Sequence, residues 1–122
     1  MKVLIRTICI IIFSAPVIAG DWIAVDGGSI EVDLDQNSVE NKLWSYLTTN
    51  SKRDFEKRST YTYQYQAISN EIIKINAMCN VRFKKNLHKE FVMVFDGGSC
   101  YFEVKYSLKS GEFSELYVNG EA

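Results

Sequence analysis

The sequence of 122 residues is poor in the residues that build metal and catalytic centres: it has one histidine, three cysteines and one proline. A structural zinc site usually takes four cysteine or histidine ligands, and a single histidine beside cysteines expected to pair excludes that set. A lone histidine, His88, in the polar segment "KKNLHKE" is typical of a solvated loop, because a general base needs partners. We therefore predict no enzyme, no metal and no cofactor.

Residues 1–19 have the composition of a secretory signal peptide. A positively charged start is followed by the short apolar run 8–13 and by small residues at Val17 and Ala19, the −3 and −1 positions of a cleavage site. An N-terminal membrane anchor is the alternative, but the run is too short to span a bilayer. We expect one small domain, residues 20–122, in the periplasm or outside the cell.

The predicted mature chain has neither a basic excess nor a second long apolar run. Removing Lys2 and Arg6 with the leader leaves 12 basic and 15 acidic residues, a net charge of −3. A mildly acidic domain lacks the electrostatic footprint of a nucleic-acid binder. No segment is apolar enough to cross a membrane, and no proline interrupts a continuous sheet.

The cysteine count becomes even once the leader is removed. Cys9 leaves with it, and Cys79 and Cys100 remain. In an exported chain the default is a disulfide, with two buried free thiols as the alternative. Closing this loop would contribute about 3 kcal/mol to stability.

Alternation of apolar and polar residues dominates the mature sequence and indicates strands with one wet face. We predict a mostly β fold of about seven short strands with little helix: a curved antiparallel sheet, a small sandwich or an open barrel. Helix is expected only as a turn or two in the polar connectors "QNSVEN" and "KRDFEKR". The predicted strands are 22–25, 29–34, 42–47, 60–67, 71–79, 91–95, 100–108 and 113–118.

The motif "DGGS" occurs twice and predicts two hairpin turns rather than a ligand site. Each copy lies between alternating runs, and Asp-Gly-Gly supplies a hydrogen-bond acceptor followed by glycines that tolerate positive φ. The turn residues are Asp26, Gly27 and Gly28, and Asp96, Gly97 and Gly98.

The disulfide constrains how the predicted strands connect. In a plain meander, a strand at 91–95 would separate Cys79 from Cys100, beyond the distance that a disulfide spans. We therefore expect residues 80–90 to cross over, so that both cysteines meet at one end of the sheet.

Two further segments carry charged residues that invite a functional interpretation. "DLDQNS" places oxygen ligands at Asp33, Asp35 and Asn37, but a calcium loop also needs glycine at its sixth position and glutamate at its twelfth, where this chain has Ser38 and Trp44. We expect a capped turn there. Two basic segments are interpreted as solvated loops, with a surface for an acidic partner as the alternative; their residues are Lys52, Arg53, Lys57 and Arg58, and Arg82, Lys84, Lys85 and Lys89.

Three tyrosines, Tyr61, Tyr63 and Tyr65, point the same way on one predicted strand. Core is the favoured interpretation, because a small domain needs its apolar faces inside. If the face is exposed, the rings form a contact surface, since tyrosine offers a large amphipathic area.

The C-terminal run "FVMVFDGGSCYFEVKYSLKSGEFSELYVNGEA" resembles the tail of small exported proteins of unknown function in Gram-negative bacteria, which carry a similar Asp-Gly-Gly-x-Cys turn, an aromatic strand and a terminal Asn-Gly-Glu-Ala. "WIAV", "EVDLDQNSVENKLWSYL" and the strand ending in Cys79 resemble the surface-adhesin protein E family. The latter resemblance implies a small antiparallel β fold and an exported, non-enzymatic binding role. It implies no particular binding residues.

These observations lead to a functional expectation. We expect a binding domain, adhesin-like in character, that recognises a protein or cell-surface partner. The alternatives are a periplasmic inhibitor of an enzyme such as a lysozyme or a protease, and a small hydrolase built near His88, Asp96 or Ser99.

Overall fold

The computed structural model describes residues 19–81, 85–93 and 98–120. Residues 1–18 of the predicted leader, and Asp96 and Gly97 of the second "DGGS", lie outside the described residues. The elements in chain order are β1 (Asp21–Ala24), α1 (Gln36–Asn50), β2 (Tyr61–Ala67), β3 (Ile72–Cys79), β4 (Tyr101–Ser107) and β5 (Phe113–Val118).

The five strands form one open sheet in the order β1-β2-β3-β4-β5. Strands β2 to β5 are antiparallel neighbours, whereas β1 runs parallel to β2. Short turns join β2 to β3 and β4 to β5, and residues 80–100 connect β3 to β4. A parallel pair needs a crossover connection, and α1 lies within it. The prediction of a mostly β, largely antiparallel domain is confirmed, and the described residues contain five strands rather than seven.

Residues 42–47 are not the predicted strand, because they belong to the fifteen-residue helix α1. Its N-cap is Asp35, whose side chain accepts a hydrogen bond from the Ser38 amide at 3.3 Å. The buried residues Val39, Leu43 and Leu47 recur every fourth position and form one helical face. The prediction of a turn or two of helix at 36–41 was therefore too short, and the second connector, 52–58, begins no α-helix.

Residues 29–34 are not a strand either, so the first "DGGS" does not close a hairpin. Asp26 and Gly27 form a turn in which Gly27 has φ of 89°. The chain continues along β2, because the Ser29 amide donates to the Ala67 carbonyl at 2.8 Å. It then runs without strand pairing to Leu34, which is buried, and enters α1.

The main core lies between α1 and the inner face of the sheet. Aromatic rings extend it across the sheet: Trp44 is 5.3 Å from Tyr61 and 5.8 Å from Phe55 between ring centroids, and Phe55 is 5.4 Å from Phe102. The buried members of this core are Leu34, Val39, Leu43, Leu47, Tyr61, Tyr63, Tyr65, Ala67, Ile73, Ile75, Ala77, Cys79, Phe102, Val104 and Tyr106.

The predicted strand at 91–95 is wrong for its described part, because residues 91–93 pair with no strand. With no strand between them, β3 and β4 are direct neighbours, and Met78 lies opposite Tyr101. Cys79 and Cys100 therefore meet at one end of the sheet with their Cα atoms 5.0 Å apart, and they form the disulfide.

Candidate functional site

The outer face of the sheet, opposite α1, is covered in part by residues 85–93. We call residues 85–93 the covering segment. It is anchored by Gln64, a fully buried residue in the middle of β2. Its Nε2 donates to the carbonyls of Leu87 at 2.7 Å and Glu90 at 2.8 Å. Its Oε1 accepts from the Val92 amide at 2.9 Å and from Nδ2 of Asn76 at 3.1 Å. One amide side chain thus satisfies three backbone groups of a segment that forms no strand pairing of its own.

Neighbouring side chains hold the same segment in place. Asn76 also donates to the Val92 carbonyl at 3.0 Å. Leu87 is buried, and the Nζ of Lys74 lies 4.7 Å from the centroid of the Phe91 ring, within the range of a cation–π contact. The hydrogen bonds to Leu87, Glu90 and Val92 and the cation–π contact to Phe91 hold the covering segment against the sheet.

Beside this segment lies a groove of about 400 Å³, which we call the outer-face groove. Two of its lining side chains are strongly exposed, Met93 at 77% and Tyr117 at 60%. Lys74 and Glu103 lie across its floor with Nζ and Oε2 3.7 Å apart. The complete lining is Lys74, Asn76, Phe91, Val92, Met93, Tyr101, Phe102, Glu103, Tyr117 and Asn119.

The outer-face groove is a better candidate than the larger cleft between α1 and the β4–β5 hairpin, which measures about 540 Å³. In that cleft the aromatic rings already pack on each other, since the centroids of Tyr46 and Phe113 are 5.5 Å apart. The outer-face groove instead borders side chains whose apolar surface remains in water. An apolar patch with a polar rim is typical of an interaction site.

A second buried polar group lies on the core-facing side of α1. Glu40 is fully buried, and its Oε2 accepts from Nε of Arg58 at 2.8 Å. Its Oε1 accepts from the Gly20 amide at 2.8 Å and from Nε1 of Trp22 at 3.1 Å. The carboxylate therefore has a cationic partner and two further donors, which offset the cost of its burial. It connects the start of β1, and Arg58 three residues before β2, to the helix.

The tyrosine face is core rather than a contact surface. The exposed fractions are 1% for Tyr61, 0% for Tyr63 and 8% for Tyr65, so these rings do not form the exposed contact surface that was the alternative interpretation. Burial raises the pKa of Tyr61 to about 12 and raises that of Tyr63 further. The Tyr63 hydroxyl accepts from Nε1 of Trp44 at 2.8 Å, and the Tyr61 hydroxyl donates to the Ser99 carbonyl at 2.8 Å.

The described glycines of the two predicted turns allow the chain to turn or to pack closely against β2. Gly27 and Gly98 have φ of 89° and 57°, values that favour glycine. A Cβ at Gly28 would lie 3.3 Å from the backbone of Ala67, so the first turn packs directly against the end of β2. Gly98 begins a single 3₁₀ turn, Gly98–Cys100, that leads into β4.

Two residues of the hydrolase alternative, His88 and Ser99, contact different parts of the fold. His88 is exposed on the covering segment, where its backbone carbonyl accepts from the Asp26 amide at 2.7 Å. Ser99 donates its hydroxyl to the Asp54 carbonyl, and Asp96 lies outside the described residues. Neither His88 nor Ser99 lines the outer-face groove or the larger cleft beside α1.

Two residues of the basic segments have structural contacts. Arg58 pairs with Glu40, and the Arg53 guanidinium donates to the Asn119 carbonyl at 2.9 Å. Lys85 and Lys89 are exposed, and Arg82 and Lys84 lie outside the described residues. The candidate calcium residue Asp35 acts as the helix cap.

No protein-family model, curated protein or solved structure matches this chain. Within the described ranges, no three histidine, cysteine, aspartate or glutamate residues are grouped as a metal site would require. The same residues include no helix of the length and hydropathy that a bilayer crossing requires. The outer-face groove is therefore the feature that supports a functional proposal.

Proposed function

We propose that this protein is an exported, disulfide-bonded domain that binds a protein partner through the outer-face groove and catalyses no reaction. The observation that carries the proposal is the exposure of Met93 and Tyr117 beside a groove whose wall is held in place by buried hydrogen bonds. Tyrosine and methionine are enriched at protein interfaces, and a preformed wall lowers the entropic cost of binding.

The occupant that fits this groove is an extended protein segment with an apolar side chain. The volume of about 400 Å³ accommodates one or two side chains rather than a folded element. Lys74 and Glu103 present one charge of each sign, and the contact between them at 3.7 Å is long enough to open to a partner's polar groups. The export of the domain is supported by the leader-like sequence of residues 1–19 and by the disulfide.

A photo-crosslinking amino acid at position 93 tests the binding role in the native host, and the same amino acid at Leu108 serves as the control. Leu108 is an exposed apolar residue in the β4–β5 turn and is not part of the groove. The protein captured from position 93 is then purified and its affinity measured directly. We expect the double variant Met93→Asp, Tyr117→Ser to bind at least tenfold more weakly, about 1.4 kcal/mol, whereas Leu108→Ser binds as the wild type does. Equal capture from positions 93 and 108, or equal affinity of all three proteins, would refute the role of the groove.

Inhibition of an enzyme is the second candidate, and the loop between the cysteines favours it. The segment is closed by the disulfide over a sequence separation of 21 residues, is anchored by Gln64, and displays Met93. An anchored segment with an exposed apolar side chain is suited to entering an enzyme cleft. Assays of lysozyme-like enzymes and proteases, beside binding assays with matrix proteins and cells, discriminate the two roles. An inhibitor loses potency in Met93→Asp and shows no binding to matrix proteins or cells.

A further inference from the structure

The backbone nitrogen of Gly20 occupies a position suited to a positive charge. It lies 2.8 Å from Oε1 of Glu40, a fully buried carboxylate on α1. As part of a peptide bond this nitrogen carries one hydrogen and no charge. As a chain terminus it would be an ammonium group with three hydrogens and a full positive charge, which adds a Coulombic attraction to the carboxylate that the uncharged amide lacks.

The surroundings of Gly20 fix its position and allow no side chain. A Cβ there would lie 2.3 Å from the Tyr61 carbonyl oxygen and 2.7 Å from Cε2 of Tyr63. The preceding residue, Ala19, is exposed, so the peptide bond between them borders solvent. The sequence predicts leader cleavage at this bond from its small residues alone.

We propose that the Ala19–Gly20 bond is a processing site whose product is a structural ion pair, in which the new Gly20 ammonium binds the buried carboxylate of Glu40. The proposal rests on the export part of the proposed function and not on the binding role. An endopeptidase of the signal-peptidase class adds water across the bond. The C–N bond breaks, the oxygen of the water makes Ala19 a carboxylate, and the Gly20 nitrogen takes both hydrogens of the water as protons and becomes an ammonium group.

The charged and titratable groups around this nitrogen favour the ammonium form on balance. Oε1 of Glu40 contacts this nitrogen directly and favours a positive charge there. The Arg58 guanidinium binds the other oxygen of the same carboxylate and disfavours a second positive charge nearby. The neighbouring Asp21 is exposed on β1. Burial keeps the hydroxyls of Tyr61 and Tyr63 protonated at neutral pH. The contact at 2.8 Å outweighs the more distant guanidinium, so the pKa of the α-amine is raised.

The stabilisation has a defined pH window. An unfolded α-amine has a pKa of about 8, and the folded amine beside Glu40 has a higher value. The stabilisation by the ion pair is therefore fully present below about pH 8 and is lost as the pH rises through the folded pKa. A chain whose Gly20 nitrogen remains an amide lacks this contribution.

The test compares two chains released from a removable tag, one beginning at Gly20 and one at Ala19. The first described strand begins at Asp21, so both chains contain every element of the fold. At pH 7 we expect the α-amine of the Gly20 chain to react with acetic anhydride at least tenfold more slowly than that of the Ala19 chain. The Gly20 chain should also have the higher urea midpoint at pH 7, and the difference should vanish by about pH 10.

A Glu40→Gln variant of each chain is the matched control, and it should erase both differences. If this variant fails to fold, the wild-type comparison at the two pH values decides alone. Equal labelling rates, or a urea difference independent of pH, would overturn the ion pair. The mass of the protein exported from its own precursor is measured separately. A chain that does not begin at Gly20 overturns the processing site even where the ion pair forms in the engineered chain.

Discussion

Replacing Gln64 with leucine removes the side chain that attaches the covering segment to the sheet. Leucine has a similar volume and keeps the position apolar, so the backbone of β2 has no reason to move. The carbonyls of Leu87 and Glu90 and the amide of Val92 each lose their described partner on Gln64. The substitution therefore isolates hydrogen bonding from packing.

The expected cost follows from counting those bonds. An intramolecular hydrogen bond contributes about 1 kcal/mol net, and three to backbone groups give about 3 kcal/mol. Residues 88–90 are exposed, so water can reach the segment after it loosens, and the lower limit is about 1.5 kcal/mol. A loss of this size is a large fraction of the roughly 5–15 kcal/mol that stabilises a small domain.

Urea unfolding and amide hydrogen exchange measure this loss. We expect the free energy of unfolding to fall by about 1.5–3 kcal/mol, and protection of the Val92 amide to fall by roughly 100-fold. Gln66→Leu is the control, because Gln66 makes one exposed hydrogen bond, to the Asp26 carbonyl. A Gln64→Leu protein no less stable than this control would refute the assignment of Gln64 as the anchor. Affinity for the groove's partner should fall with the protection, although Met93 and Tyr117 are unchanged.

Two further predictions concern the covalent and ionisable groups. Replacing Cys79 and Cys100 with alanine should lower stability by about 3 kcal/mol, because the bridge closes a loop with a separation of 21 residues, and thermal unfolding should show a melting temperature more than about 10 °C lower. Unchanged melting would contradict the loop-closure argument. Stability should also fall steeply between about pH 10 and pH 12, because the unfolded tyrosines ionise near pH 10 whereas burial raises the pKa of Tyr61 to about 12 and that of Tyr63 further. Urea unfolding at several pH values measures this fall, and Tyr61→Phe should make it shallower; an equal slope in the variant would argue against Tyr61 as a cause.

The sequence located all five described strands, and four of them, β2 to β5, pair with the strand that precedes or follows them in chain order. The fifth, β1, was predicted at 22–25 and pairs with β2 on the far side of α1. In β2, β3 and β4 the residues facing α1 alternate with the residues facing outward, and each strand pairs with the next through a short connection or across the disulfide. Alternation of apolar and polar residues within each strand then indicates which side chains face the common core. The same signal identified the strand Phe113–Val118, although that strand lies at the edge of the sheet.

Helix α1 escaped prediction because a short apolar run fits two periods. In "KLWSYL", Leu43 and Leu47 are four residues apart, which also makes them members of an alternating pattern. The pattern over a longer window, with Val39 four residues earlier and the cap at Asp35, distinguishes a helix. That signal is present over residues 35–47 and is not visible within the six residues 42–47 alone.

The covering segment could not have been predicted by the same means. Residues 91–93 are apolar on both faces, as in a central strand, but their backbone partners are side-chain groups on β2 and β3. The partner of the Val92 amide is a side chain 28 residues away along the chain, not a neighbouring strand. Such a partner imposes no alternation of apolar and polar residues on the segment that it binds. The groove that this segment borders was for that reason invisible in the sequence.

Two buried polar residues, Glu40 and Gln64, connect the sheet to its surroundings on opposite faces. Each occupies a position where an apolar residue would pack more simply, and each has its hydrogen bonds satisfied. Glu40 interrupts the apolar face of α1, and Gln64 lies between tyrosines on β2, so both are recognisable in the sequence once the elements are assigned. A buried polar group costs free energy unless its partners are in place. Their presence therefore indicates that Gly20 and the segment at 85–93 are held in fixed positions, as the proposed N-terminal ion pair and the proposed binding wall both require.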